Sequence, residues 1–174
     1  MIFTGIKRKS NQLFFNKRLP ELLKKSVGKP SQKITSILVL LDEFSDKKGI
    51  NSFLNEVLGI PKNQIELLVF QRKIKKEKVL DNIITPVDFG WYGKINSGKL
   101  KNILTKKYDL LINYSKVDTI YCNLLLLQCN VGFRIGFSHL DNRFYDLIIN
   151  CESTDIESFN KEIKKYLQIL NKIG

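Results

Sequence analysis

ITSILVLLDEFSDKKGINSFLNEVLGIPKNQIELLVF, residues 34–70, decides the fold class. It opens on an apolar run rich in β-branched residues (34–41), the pattern of a parallel strand buried on both faces. A second run, IELLVF at 65–70, closes it. Between them Ser45 or Asp46 can cap a helix in which Ile50, Phe53, Leu54, Val57 and Leu58 form one apolar stripe, ended by Gly59 and Pro61. Strand, amphipathic helix and strand make a βαβ unit, which requires a parallel pair joined by a right-handed crossover.

The alternation continues outward from there. NIITPVDF (82–89) predicts a short strand interrupted at Pro86, and residues 100–107 a helical turn or two. YDLLINY (108–114), a helix over 117–130, VGFRIGF (131–137) and YDLIINC (145–151) follow. The chain closes on an amphipathic helix over about 155–172, striped by Ile156, Phe159, Ile163, Tyr166, Leu167 and Leu170. The expected fold is a Rossmann-like α/β three-layer sandwich with a mainly parallel sheet over residues 34–174. A basic, helical N-terminal arm over residues 1–33 precedes it. Pro20 splits that arm into two short helical stretches, and Gly28 and Pro30 end it.

A chain of 174 residues is long enough to bury a core, and its 43% hydrophobic and 26% charged content is ordinary. The net charge of +12 is not. Charge of this size points to a polyanionic partner. It is also unevenly placed. Residues 1–33 carry +8 and residues 71–107 carry +7, whereas 34–70 and 108–174 carry −2 and −1. A near-neutral body with two basic segments is the pattern of a binding surface.

Catalytic and metal chemistry find little support. Cys122, Cys129 and Cys151 have neither CxxC nor zinc spacing, and the first two share a helix face rich in leucine, so no metal site is expected. Free thiols, an N-terminus with charge where a leader needs an apolar stretch, and the lack of an apolar run of about 18 residues suit a cytoplasmic protein without stable membrane insertion. His139 sits beside Asp141 and Arg143 in FSHLDNR, which reads better as a turn held by an Asp–Arg pair than as an active site.

YDLLIN, VGFRIGF and DNRFYDLIIN resemble a family of short, uncharacterised bacterial single-domain proteins, which also tend to carry a basic N-terminal arm and an aromatic–glycine stretch like GWYGK at 90–94. The resemblance covers most of the chain. It implies a Rossmann-like fold and no assigned activity. More distantly, the same order of segments is similar to the N-terminal half of heptosyltransferase-type glycosyltransferases. In that family a Gly–Asp loop follows the first strand and helps form the acceptor site. Here Asp42-Glu43-Phe44-Ser45-Asp46 stands in that place, with carboxylates where a phosphate-cradling turn needs glycines. That loop is not expected to bind a nucleotide, and no nucleotide cofactor is expected for the chain.

The basic segments therefore carry the functional reading: a non-catalytic RNA-binding protein, ribosome-associated, with ribosomal RNA and neighbouring ribosomal proteins as partners. The expected phosphate contacts are Lys7, Arg8, Lys9, Lys17, Arg18, Lys24, Lys25 and Lys29 in the arm. Arg72, Lys73, Lys75, Lys76, Lys94, Lys99 and Lys101 are expected to add others in the second segment. Trp91 and Tyr92, flanked by glycines, either stack on RNA bases or close the core beneath their loop. The alternative is a small-molecule-binding or glycosyltransferase-like enzyme with a pocket at the strand ends involving Asp42, Ser115 and His139. On the RNA reading, residues 1–30 are dispensable for folding but not for binding.

Overall fold

The structure, a computed structural model, describes residues 2–25, 33–73 and 82–173. Its centre is a six-stranded sheet in the order β3-β2-β1-β4-β5-β6, every neighbouring pair parallel. The strands are β1 (Ile37–Asp42), β2 (Ile65–Phe70), β3 (Ile83–Ile84), β4 (Lys107–Asn113), β5 (Asn130–Phe137) and β6 (Leu147–Ile149). The helices are α1 (Ile2–Lys25), α2 (Lys47–Ser52), α3 (Gly98–Thr105), α4 (Ile120–Gln128) and α5 (Ile156–Ile169). This is the Rossmann-like sandwich that the βαβ pattern implies.

Alternation along β1 builds both halves of the core. Leu38 and Leu40 join Leu68, Phe70, Leu111 and the side chains of α3 and α4 on one face. Ile37, Val39 and Leu41 join Val69, Ile112, Phe137 and the side chains of α2 and α5 on the other. All six β1 residues are buried, as a strand covered on both faces must be. Asp46 caps α2 by accepting from the N–H groups of Lys48 and Gly49, and the helix runs on as a π-helical turn, Phe53–Val57. Gly59, at φ +70°, then supplies the left-handed turn that returns the chain to β2.

The N-terminal segment differs from the reading of two short helices. It is one helix of 24 residues with Pro20 inside it. Proline removes a backbone hydrogen bond and strains the preceding turn. Phe15, Leu19 and Leu23, spaced by four, lie on one face across the proline and offset that loss. Phe15 and Leu19 are buried in the same cluster as the α4 leucines, and Phe15 packs edge-on against Phe144 at 5.8 Å. Two core side chains therefore belong to residues 1–30, and the aromatic face of the arm packs on the body.

A matched pair of variants checks the docking of α1. Phe15 is 3% exposed and Leu13, two residues away, is 68% exposed. Phe15→Ala should cost about 3–5 kcal/mol in urea denaturation, and Leu13→Ala less than about 0.5 kcal/mol.

Candidate anion-binding cleft and aromatic turn

An open cleft of about 1010 Å³ lies at the C-terminal ends of β2 and β3, between α1 and the start of α4. Gly5, Arg8, Gln12 and Asn16 line it from α1. Their spacing of three and four places them on one side of the helix. Arg72 and Lys73 enter from the chain leaving β2, and Thr85, Pro86 and Val87 from the segment after β3. Asp118 to Tyr121 and Asn123 supply the α4 wall, and Asp141 and Arg143 the far rim. Phe15, Phe70 and Tyr121 form an apolar floor.

The electrostatics favour an anion. Thr119 caps α4, its hydroxyl accepting from the Cys122 N–H at 3.2 Å, so the positive end of that helix faces the cleft. Of the two carboxylates, Asp141 is bound by the Arg143 guanidinium, with Nε donating at 2.8 Å, and this hydrogen bond holds its carboxyl below the usual range. Asp118 accepts from Asn123 Nδ2 at 2.9 Å. Arg8, Arg72 and Lys73, all exposed, have no carboxylate partner among the described residues. Arg8 acts on Tyr121, lowering a phenol pKa that burial raises more strongly.

The point where strand order reverses, between β1 and β4, is closed. Asp42 is 5% exposed and spends its carboxylate as a tie. Oδ2 accepts from the Lys116 N–H at 2.6 Å, and Oδ1 from the Phe44 N–H and the Ser45 hydroxyl, both at 3.0 Å. The residual space there is about 10 Å³, roughly that of one water-sized sphere. His139 is exposed, its Nε2 lying 3.2 Å from the Ser115 carbonyl. Asp42, Ser115 and His139 all lie outside the large cleft. Cys122 and Cys129 are buried, and burial pushes their thiols up to about 11 and about 12, unsuited to nucleophilic work.

Beside α1 stands a tight turn, Gly90 to Lys94, closed by a hydrogen bond from the Gly90 N–H to the Lys94 carbonyl at 2.6 Å. Tyr92 and Gly93 both take positive φ, 54° and 73°. Their N–H groups consequently point together into α1, where Tyr92 N–H donates to Ser10 Oγ at 3.1 Å and Gly93 N–H to Asn11 Oδ1 at 2.8 Å. This explains two buried polar residues, Ser10 and Asn11, inside an otherwise apolar helix face. A Cβ at Gly93 would collide with the Phe14 ring. The turn projects its aromatic side chains outward: Trp91 is 44% and Tyr92 67% exposed, so they do not close the core.

The expected phosphate contacts thus fall into several groups. Arg8, Arg72 and Lys73 meet in the cleft, and Lys7 donates to the Pro86 carbonyl at its rim at 2.9 Å. Lys9, Lys17 and Lys24 are exposed on α1, and Lys94, Lys99 and Lys101 on the turn and α3. Arg18, also exposed, pairs with Glu21 at 2.9 Å. Lys29, Lys75, Lys76 and the side chain of Lys25 lie outside the described residues. Sequence reasoning missed Gln12, Asn16, Asn123 and Arg143 as cleft residues. No linear motif connects them, and only the docking of α1 brings them together.

Fold and cleft define a Rossmann-like α/β protein whose strand ends open into a basic cleft roofed by its own N-terminal helix. The chain belongs to a family of unknown function (DUF6913), whose model matches residues 7–170. No curated protein and no solved structure matches it. Among the described residues no helix is long and apolar enough to cross a membrane, and no cluster of three or more His, Cys, Asp or Glu side chains is placed to hold a metal ion.

The turn carries its own probe, because Trp91 is the sole tryptophan. Gly93→Ala should cost about 1–3 kcal/mol in denaturant melts and shift native tryptophan emission, since a Cβ at positive φ forces the turn off Asn11.

Proposed function

We propose that this protein binds RNA, holding phosphates with the cations of α1 and stacking bases on Trp91 and Tyr92. The carrying observation is the aromatic turn: two large rings stand in solvent on a backbone anchored to the basic helix. A single exposed aromatic is ordinary, but two adjacent rings held on one rigid turn form a contiguous patch of the kind that binding surfaces use. Ser10 and Lys17 lie two helical turns apart on one side of α1, about 10 Å along its axis. A single strand stacked on the rings would therefore meet Lys17 and Lys94 along its backbone. Such a platform reads shape and unpaired bases rather than a fixed sequence. Ribosomal RNA is the specific target we assign, because the excess charge is confined to two segments of an otherwise near-neutral chain.

Filter binding to ribosomal RNA across salt, with sedimentation alongside ribosomal particles, tests this reading. Affinity should fall steeply between about 50 mM and 500 mM salt. Reversing Lys9 and Lys17 should flatten the logarithmic slope by about 0.7–0.9 for every phosphate that is no longer neutralised. Trp91→Ala and Tyr92→Ala should each cost about 1–3 kcal/mol of binding with the slope kept. A folded double alanine variant with unchanged affinity would remove the stacking platform from the reading. Salt-independent binding, or no co-sedimentation, would end it.

A further inference from the structure

We propose that the cleft between α1 and α4 is a binding site for a nucleoside 5′-phosphate, separate from the aromatic turn and independent of the RNA reading. Charge type is the first argument. The chain has five arginines, and three of them, Arg8, Arg72 and Arg143, line this one cleft. Among the described lysines only Lys73 does so. Arginine's planar fork grips phosphate with two parallel hydrogen bonds, whereas lysine offers a point charge. A cleft that gathers arginines in a lysine-rich protein is therefore matched to a phosphate group, and general basicity does not account for it.

Shape and floor extend the assignment from phosphate to nucleotide. A volume of about 1010 Å³ far exceeds what inorganic phosphate needs and sits at the upper end of small-ligand sites, about 300–1,000 Å³. Beneath it Phe70 and Tyr121 stack at 5.8 Å and 24°, giving an apolar surface on which a planar ring loses little by leaving water. Gln12, Asn16 and Asn123 line the same space and offer amides to a base edge or ribose. The capped start of α4 adds its dipole to the arginines. Asp118 and Asp141 face the site too, but the first is hydrogen-bonded to Asn123 and the second to Arg143. A carboxylate can accept more than one hydrogen bond, so Asp118 can still take one from a ribose hydroxyl.

The same phosphomonoester occurs on free nucleotides and at the 5′ end of a strand, so the experiment separates the two sources. Thermal shift and calorimetry on the full chain compare nucleoside 5′-monophosphates and diphosphates, the parent nucleosides, inorganic phosphate, and short oligonucleotides with 5′-phosphate or 5′-hydroxyl ends, all at matched ionic strength. Free nucleotides raising the melting temperature, with nucleosides and phosphate inert, establish the site for free ligand. A response to the 5′-phosphorylated oligonucleotide alone establishes it for strand ends. Arg72→Gln and Lys73→Gln, both at exposed positions without ion-pair partners among the described residues, should retain the fold by circular dichroism and weaken binding at least about tenfold. Leu13→Ala, exposed and outside the cleft, should leave nucleotide affinity unchanged.

The proposal fails if no nucleotide or 5′-phosphorylated strand binds, if inorganic phosphate gives an equal shift, or if both cleft variants bind as the parent does. Because RNA binding is read by its response at Trp91 and Tyr92 and nucleotide binding at Arg72 and Lys73, either reading can fall without the other.

Discussion

The seat of α1 on the α3–α4 face is the constraint on which the rest of the molecule depends. One helix closes the core with Phe15 and Leu19, anchors the aromatic turn with Ser10 and Asn11, and walls the cleft with Arg8, Gln12 and Asn16. These three sets of residues radiate from one axis at roughly 100° per residue, so a rotation of α1 that improved one contact would break another. Burial of Phe15 supplies about 1.5–3 kcal/mol, and each hydrogen bond to the turn about 1 kcal/mol. Packing therefore sets where the helix lies, and the polar pair sets its rotation. Asn11 is fully buried, and its Oδ1 has one good donor, the Gly93 N–H.

The sheet contributes a second restraint, at the junction of β1 and β4. Carboxylates pin both ends of this strand pair. At the N-terminal end a single oxygen of Asp109 accepts from the N–H and hydroxyl groups of Thr35 and Ser36, at 2.7–3.0 Å. At the C-terminal end Asp42 ties the β1 loop to the Lys116 N–H. The tie fills the crevice where a doubly wound sheet ordinarily takes its ligand. The open space lies instead over β2, β3 and α4, because α1 stands off from those strand ends and leaves a roofed gap. Closing one site and opening another follow from two local facts: a carboxylate in place of a glycine loop, and an added helix at the N-terminus.

How far the sequence was legible divides along the same line. Strand β2 spans residues 65–70 in both the reading and the structure, and β4, β5 and α5 lie within a few residues of their expected bounds. Each carries period-two or period-3.6 hydrophobicity, a signal local to the segment. Pro20 misled, since propensity alone breaks a helix that tertiary packing holds together. Asn11, Gln12 and Asn16 read as interruptions of an apolar face, yet the first anchors a distant turn and the other two line the cleft. Their meaning lies in residues roughly 55 to 130 positions away, and no window along the chain contains both partners. Arg143 was legible as the partner of Asp141 but not as a cleft residue, for the same reason. Trp91 and Tyr92 were ambiguous because glycine-flanked aromatics suit either a core lid or a displayed turn. The positive φ of Tyr92 decides between them by sending its N–H inward and its ring outward.

The basic excess, seen as one property in the composition, resolves into two populations with different chemistry. Lys9, Lys17, Lys24, Lys99 and Lys101 stand in solvent on helix surfaces, where long flexible stems lose little entropy and screening by salt is strong. Arg8 and Arg72 line a concave, partly apolar space, with Arg143 held by Asp141 at its rim, where field lines are focused and bidentate geometry is worth more. The outer set suits loose, salt-sensitive contact with a long polyanion, and the inner set suits the end of a small one. General solubility needs neither the gathering of arginines in one cleft nor two rings displayed on a rigid turn. The sorting is not complete, since Arg18 stands with the outer lysines and Lys73 in the cleft, yet three of the five arginines line one concave space.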